Sequence, residues 1–285
     1  MTVQEATYFI LNQLRTIHSD SEASQMTDWL MEHITGSKKA ERMIYKNAAL
    51  TANEEALVTQ YTQRLMQQEP LQYVLNESWF CGLKFYVDKN VLIPRPETEE
   101  LVEWVITNCK FPIGELKILD IGSGSGCIPI SLKRRIRRAE VWSCDISGDA
   151  LTVAKKNAAS LGVDVNFLQL DFLDQDQWQQ LPNFDIIVSN PPYIPVKDKA
   201  TMHANVVAHE PATALFVPDN DPLVFYKAIA EFGKTHLNKE GNINCEIHED
   251  LGPSTIELFQ SAGYTTELKK DMQQKNRMIR AVSSL

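Results

Sequence analysis

A chain of 285 residues, 44% hydrophobic and 23% charged, has room for one large domain and one small one, each with a core of its own. Its net charge of −9 disfavours a broad, non-specific nucleic-acid footprint, which needs an excess of Lys and Arg. Five scattered cysteines without a CxxC pair and six histidines without metal-ligand spacing predict reduced thiols and no bound metal.

The chain begins Met1-Thr2-Val3-Gln4-Glu5, with no basic region leading into an apolar core, so no signal peptide is expected. No apolar run is long enough to span a bilayer, and a cytoplasmic protein is expected. From about Thr2 to Met66 the pattern reads as helical. Ala6, Phe9, Ile10, Leu14 and Ile17 fit one face, and Met26, Trp29, Leu30 and Ile34 mark a second segment. Ser19-Asp20-Ser21 offers N-caps between them, Gly36-Ser37 breaks the second segment, and Thr51-Ala52-Asn53-Glu54-Glu55 opens another helix. This gives a small helical domain over residues 1–72, suited to binding a partner or capping the larger domain. Glu69-Pro70 to Leu75 is read as leaving the helices. Residues 73–92 are read as a β-hairpin linker, with Trp79, Phe80, Leu83, Phe85 and Val87 alternating around turns at Gly82 and Asp88-Lys89-Asn90.

Residues 93–285 carry the chemistry. Ile93-Pro94-Arg95-Pro96-Glu97-Thr98-Glu99-Glu100 is a stiff segment that opens a helix. By local chemistry it reads as a helix cap, with Arg95 or Glu97 at a site mouth as the alternative. Leu116 to Ile121 is a buried strand entering Gly122-Ser123-Gly124-Ser125-Gly126 and then a helix from Cys127. Position 127 is Cys127 where a dinucleotide fingerprint needs its third glycine, and no Lys-Ser/Thr follows for a P-loop. A second strand ends on Asp145, at the spacing of a ribose-binding acid; an N-cap is the other reading, a role that Ser147 can fill. A third strand, Val163 to Leu170, delivers Asp171-Phe172, an acid and an aromatic that suit an adenine ring, although Phe172 suits a core as well.

A fourth strand, Phe184 to Ser189, ends in Asn190-Pro191-Pro192-Tyr193. Two prolines fix two φ angles and remove two N–H donors, and Asn190 before proline is pushed to an extended shape. The loop is therefore stiff and rich in acceptors. The Asn190 side-chain oxygen and the Pro191 carbonyl suit the two hydrogens of an NH2 group on a planar substrate, with Tyr193 stacking on its face. Ile194 to Leu215 reads as a long polar loop with His209-Glu210, and is a candidate lid or substrate-binding segment. Helices from Asp221 to Leu237 and Leu251 to Ala262, with strands at Gly241 to Ile247, Tyr264 to Leu268 and Arg277 to Val282, close the chain.

The set Asp120-Ile121-Gly122-Ser123-Gly124-Ser125-Gly126, Asp145, Asp171-Phe172 and Asn190-Pro191-Pro192-Tyr193 resembles class I S-adenosylmethionine-dependent methyltransferases. With Pro94-Arg95-Pro96-Glu97-Thr98-Glu99 upstream and a helical domain before it, the whole chain resembles the HemK/PrmC family, the release-factor glutamine N5-methyltransferases. The resemblance implies a Rossmann-like α/β domain with a seven-stranded mixed sheet, preceded by a small all-helical domain. It implies S-adenosylmethionine as cofactor, no metal, and the glutamine of the Gly-Gly-Gln loop of peptide chain release factors one and two as substrate. It assigns the cofactor to Gly122, Ser123, Gly124, Ser125, Gly126, Asp145, Asp171, Phe172 and Asn190. It assigns the substrate to Asn190, Pro191, Pro192 and Tyr193, which also carry the catalysis, and to Arg95 and Glu97. A monomer without membrane or stable nucleic-acid binding is expected. A nucleic-acid N-methyltransferase, acting on adenine N6 or guanine N2, shares the same tetrapeptide and is the alternative.

Overall fold

The computed structural model describes residues 1–109 and 116–283, and these fall into two units. The first comprises Met1–Glu77 and His203–His209. It is built on helices α1 (Val3–Leu14), α2 (Asp20–Thr35), α3 (Lys39–Ile44), α4 (Ala52–Met66) and α5 (Leu71–Leu75). Local chemistry sets their ends. Thr2 and Thr51 each close a capping box with Glu5 and Glu54, Ser19 caps α2, and Gly36 ends it in the left-handed region.

Ile10, Leu14, Leu30, Met31, Val58 and Leu65 form the centre of this unit's core. The buried stripe of α1 is Ala6, Ile10 and Leu14, at a spacing of four, while Phe9 and Ile17 on its flank stay more than one-third exposed. In α2 the inward residues are Ala23, Thr27, Leu30 and Met31, and Trp29 points to solvent. Residues 71–75, read from sequence as outside the helices, form α5. Pro70 sets its entry, and Arg64 holds its far end by donating to the carbonyls of Tyr73 and Val74 while pairing with Glu69.

The second unit is Ser78–Met202 with Glu210–Leu285. It opens with a hairpin of two three-residue strands, β1 (Ser78–Phe80) and β2 (Leu83–Phe85). Cys81 and Gly82 between them both have positive φ, 49° and 72°, the geometry of a type I′ turn. Then follow α6 (Pro96–Asn108), β3 (Lys117–Ile121), α7 (Cys127–Arg135), β4 (Glu140–Asp145), α8 (Gly148–Ser160), β5 (Asn166–Gln169) and β6 (Phe184–Ser189). After a short parallel pair, β7 (Ile194–Pro195) and β8 (Phe216–Val217), come α10 (Val224–His236), β9 (Leu237–Glu246), α11 (Gly252–Ser261), β10 (Tyr264–Lys270) and β11 (Asn276–Ser283). The segment read as one long polar loop, Ile194 to Leu215, thus contains β7, turns of 3-10 helix and α9 (Ala204–His209) and leads into β8, all too short to leave a periodic signal.

One seven-stranded sheet carries the order β10-β11-β9-β6-β3-β4-β5. The five strands from β9 to β5 are mutually parallel, β11 adds antiparallel to β9, and β10 adds antiparallel to β11. The sheet is therefore mixed. Its central strands are buried on both faces and read as apolar runs for that reason, Ile118-Leu119 and Ile186-Ile187-Val188 at the centre. The chain steps outward from β3 through β4 to β5, then returns to β6 on the other side of β3. The strand order reverses between β3 and β6, and a crevice opens at the carboxyl ends of strands flanking such a point. Ile121 pairs with Ser189, so Gly122 and Asn190 leave the sheet side by side. Among the described residues, no helix is long and apolar enough to cross a membrane.

Candidate active site

A cavity of about 390 Å³ occupies this crevice. Its floor is the glycine loop after β3, with Asp145 and Ser147 after β4, Asp171 and Phe172 after β5, and Asn190, Pro191 and Pro192 after β6. The segment from Asn90 to Arg95 and residues Pro211, Thr213, Ala214 and Phe216 complete the wall. Residues far apart in sequence thus meet because four parallel strands end at one level.

The glycine loop turns sharply out of β3. The amides of Gly122 and Ser123 both donate to the Cys144 carbonyl, and Gly126 donates to the Ser123 carbonyl at 2.7 Å. Gly126 has φ 80°, and a Cβ there would meet Ile130 at 3.0 Å and Ala154 at 3.2 Å. Only glycine lets α7 pack this closely against α8. Gly122, at φ 89°, instead has open space where a side chain would stand. Asn157 fixes the loop from behind, donating to the Ser125 carbonyl and clamping the backbone of Tyr86.

Asp145 accepts from the Gly124 amide and the Ser147 amide, both at 2.9 Å. It therefore braces the loop, and the N-cap of α8 is Ser147. Each of its oxygens keeps lone-pair capacity for a further donor. Burial raises its pKa, and the backbone amides of Gly124 and Ser147 oppose the rise.

Asp120 lies deeper. One carboxyl oxygen accepts from Ser143 at 2.6 Å, while the other, like the hydroxyl of Ser125, is buried without a hydrogen-bond partner. Burial pushes the Asp120 pKa up to about 8, opposed by Ser143 and reinforced by the charge of Asp145. A carboxyl with this shift favours the folded state while protonated, so its contribution is full below the ordinary Asp range and is lost as pH rises toward 8. Asp120→Asn is accordingly expected to gain stability on the parent progressively from about pH 4 to pH 8, with a constant difference above that. Denaturant melts of both proteins across this range check the sign; a difference independent of pH would rule it out.

Asp171 lines the cavity and accepts from the Leu173 amide. Phe172 belongs to the cavity wall and to the core at once. It lines the cavity, and it is 4% exposed in the main core, with Phe232 edge-on at 5.2 Å and Trp178 at 5.6 Å. Trp178 locks this turn by donating to the Phe172 carbonyl.

Asn190 donates its amide nitrogen to the Thr98 hydroxyl at 3.0 Å. Thr98 in turn donates to Glu246 at 2.7 Å. Tyr193 does not line the cavity; its hydroxyl donates to the other Glu246 oxygen at 3.0 Å, and its ring meets His248 edge-on. Burial raises the pKa of Glu246, opposed by the hydroxyls of Thr98 and Tyr193 and by the Arg277 charge. Arg95 lines the wall and pairs with Glu210 at 2.6 Å, and Glu210 also accepts from the Ile93 amide. Glu97 lies outside the lining, and its charge adds to the rise at Glu246. His209 belongs to the first unit and is not part of this wall.

Thr98 and Glu246 were not singled out from sequence. One signal was available for Glu246: an acid closing a strand otherwise buried along its second half. Among the described residues, no group of three or more His, Cys, Asp or Glu is placed to hold a metal ion.

Residues 101–216 match the model of the methyltransferase small domain, and residues 9–75 match that of the PrmC N-terminal domain. A release factor glutamine methyltransferase of Flavobacterium psychrophilum is 48% identical over 76% of this chain and 76% of its own length. One of Bacteroides thetaiotaomicron is 37% identical over 96% of this chain and 98% of its own. A methyltransferase crystal structure from Pyrococcus furiosus, 15% identical, superposes with a TM-score of 0.53 over 82% of this chain and 100% of that one, which shows the shared fold. The chain belongs to the release factor glutamine methyltransferase family.

Proposed function

We propose that this enzyme transfers a methyl group from S-adenosylmethionine to the side-chain amide nitrogen, N5, of the glutamine in the Gly-Gly-Gln loop of peptide chain release factors one and two. The observation that carries the reading is the Asn190 amide at the β6 end of the cavity. Its nitrogen is already committed to Thr98, which leaves its oxygen free to accept, and a proline carbonyl follows it.

The residues on the other side fit an adenosyl amino acid. An unpartnered Asp120 oxygen, an unpartnered Ser125 hydroxyl and open space at Gly122 suit a charged amino-acid end. Asp145 retains acceptor capacity for ribose hydroxyls, and Asp171 with Phe172 suits the adenine. When bound, the cofactor supplies an electrophilic methyl group on a sulfonium. Gly122 to Gly126 would hold its methionine portion, Asp145 its ribose, and Asp171 and Phe172 its base.

A carboxamide nitrogen is a poor nucleophile, because its lone pair is delocalised into the carbonyl. The Asn190 side-chain oxygen and the Pro191 carbonyl accept its two hydrogens and hold its lone pair toward the glycine loop. Most of the rate gain is positioning. The same two dipoles favour the positive charge that grows on nitrogen. That nitrogen becomes acidic as the charge grows, so one of its hydrogens can pass to water without a strong base, and none of the six histidines lines the cavity. Pro191 and Pro192 keep the acceptors fixed. Tyr193 anchors the loop through Glu246, and Arg95, with Glu97 nearby, shapes the mouth. We further infer a monomeric, cytoplasmic enzyme in which the helical unit built on Met1–Glu77 engages the release factor and the unit that begins at Ser78 is the catalytic domain.

The test is methyl transfer from labelled cofactor to a purified release factor, with a variant lacking the loop glutamine as control. Label is expected only when the glutamine is present. Label that persists without it, or appears on DNA or RNA instead, would overturn the substrate assignment.

A further inference from the structure

A carboxamide donates from one end and accepts at the other, and the two ends have nearly the same shape. For Asn190 to accept from a target NH2, its oxygen must face the cavity and its nitrogen must face away. A lone hydroxyl partner does not choose between the two orientations, because it can donate or accept. The side chains behind Asn190 make the choice. Thr98 has a single hydroxyl hydrogen, and it is committed to Glu246 at 2.7 Å. Thr98 then presents only lone pairs to Asn190, and the Asn190 nitrogen donates to them at 3.0 Å. The second Glu246 oxygen is occupied by the Tyr193 hydroxyl.

A carboxylate accepts at both oxygens, so this relay runs in one direction. Thr98 is 2% exposed and Glu246 1%, which leaves no solvent to offer either an alternative partner. Burying a carboxylate is costly, and a glutamine would fill the same space without that cost. What a glutamine lacks is an acceptor at both ends.

We propose that Thr98 and Glu246 are positioning residues that set the polarity of the Asn190 amide, keeping its oxygen toward the target nitrogen. This rests on the reading of Asn190 as an acceptor for that nitrogen. Glu246 lies outside the cavity lining, and Thr98, 2% exposed, reaches the lining only beside Asn190. The relay crosses three elements: Thr98 lies in the first turn of α6, Glu246 ends β9, and Asn190 follows β6. The Pro-Arg-Pro-Glu-Thr segment therefore acts on the chemistry through its threonine as well as through Arg95 at the mouth.

Thr98→Val removes the hydroxyl and keeps the shape, while Thr98→Ser keeps the hydroxyl. Both would be compared with the parent and with Asn190→Ala in steady-state methylation of a release factor. The Asn190 side-chain amide protons would be followed in parallel by 15N-edited NMR, identified by their loss in Asn190→Ala. Thr98→Val is expected to lower kcat about a hundredfold, with KM for protein and cofactor within about threefold of the parent. Its Asn190 amide protons should exchange faster with solvent, and Thr98→Ser should restore both properties. Thr98→Val with kcat within about threefold of the parent, unchanged amide exchange, or a Thr98→Ser variant as poor as Thr98→Val would each overturn the relay. An inactive Asn190→Ala beside an active Thr98→Val would remove the relay alone. A fully active Asn190→Ala would remove the acceptor reading and the relay with it.

Discussion

Asn190→Ala is expected to lower methyl transfer by about a hundred- to a thousandfold, the usual loss when one preorganised dipole at a reacting centre is removed. The protein should remain folded. The side chain makes one hydrogen bond, to Thr98, and a single bond of this kind contributes about 1 kcal/mol net. The backbone stiffness of the loop comes from Pro191 and Pro192 and survives the change. Binding of the reaction product S-adenosylhomocysteine should stay within about tenfold of the parent, because the glycine loop and Asp145 are untouched. Asn190→Asp is expected to be poor as well, although it keeps an acceptor. Its charge would lie next to Thr98 and close to buried Glu246, whose own ionisation burial already disfavours. The checks are single-turnover methylation of a release factor, calorimetric titration with the product, and a thermal melt. Near-normal turnover by Asn190→Ala, with product still bound, would exclude Asn190 as the group that positions the target.

How far the site was legible in the sequence depended on the distance over which each relation acts. The glycine loop and Asn190 each follow an apolar run, because a strand buried on both faces announces itself by composition, while Asp145 and Asp171 close the more mixed strands β4 and β5. Their convergence then follows from the topology of parallel sheets, whose strand ends share one side. Helix starts were equally visible, because Thr2, Ser19 and Thr51 act within one turn. The relay through Glu246 was not visible. Thr98 and Glu246 lie 148 positions apart, and nothing local to either betrays the other. Tyr193 was misplaced for the same reason. Its ring suits stacking on a planar substrate, but its hydroxyl is drawn to an acid that the sequence does not bring near it. At Phe9 and Trp29 the error was one of angle. Both sit one residue, about 100° of helix rotation, from a buried position, and an apolar count cannot resolve that. The short β7 and β8 and the single-turn α5 failed on length, since a period needs more than one repeat to be seen.

Asp145 carries the second large expected effect. It has two kinds of work in the proposed enzyme, and the two separate on substitution. Its oxygens hold the Gly124 and Ser147 amides, which keeps the glycine loop and the start of α8 in register. The remaining lone pairs are proposed to accept ribose hydroxyls, each hydrogen bond to a charged acceptor being worth about 1.5–3 kcal/mol. Asp145→Ala loses both roles and is expected to weaken S-adenosylhomocysteine binding about a hundredfold or more. Asp145→Asn retains one carboxamide oxygen, which can hold one of the two backbone donors and one further donor while its NH2 faces the other backbone donor, so it should fall between Asp145→Ala and the parent. Both variants relieve Asp120 of the neighbouring charge that helps to raise its pKa, so that pKa should fall. The loss of product affinity should therefore come with an Asp120-linked decline in stability that is smaller and ends at a lower pH than in the parent. A role confined to bracing the loop would make no demand on the ribose, and the 2′-deoxyribose analogue of the product separates the two. If Asp145 accepts from that hydroxyl, the parent discriminates against the analogue and Asp145→Ala does not. Equal discrimination in parent and variant would leave Asp145 as a brace and send the search for the ribose acceptor elsewhere along the ends of β4 and β5.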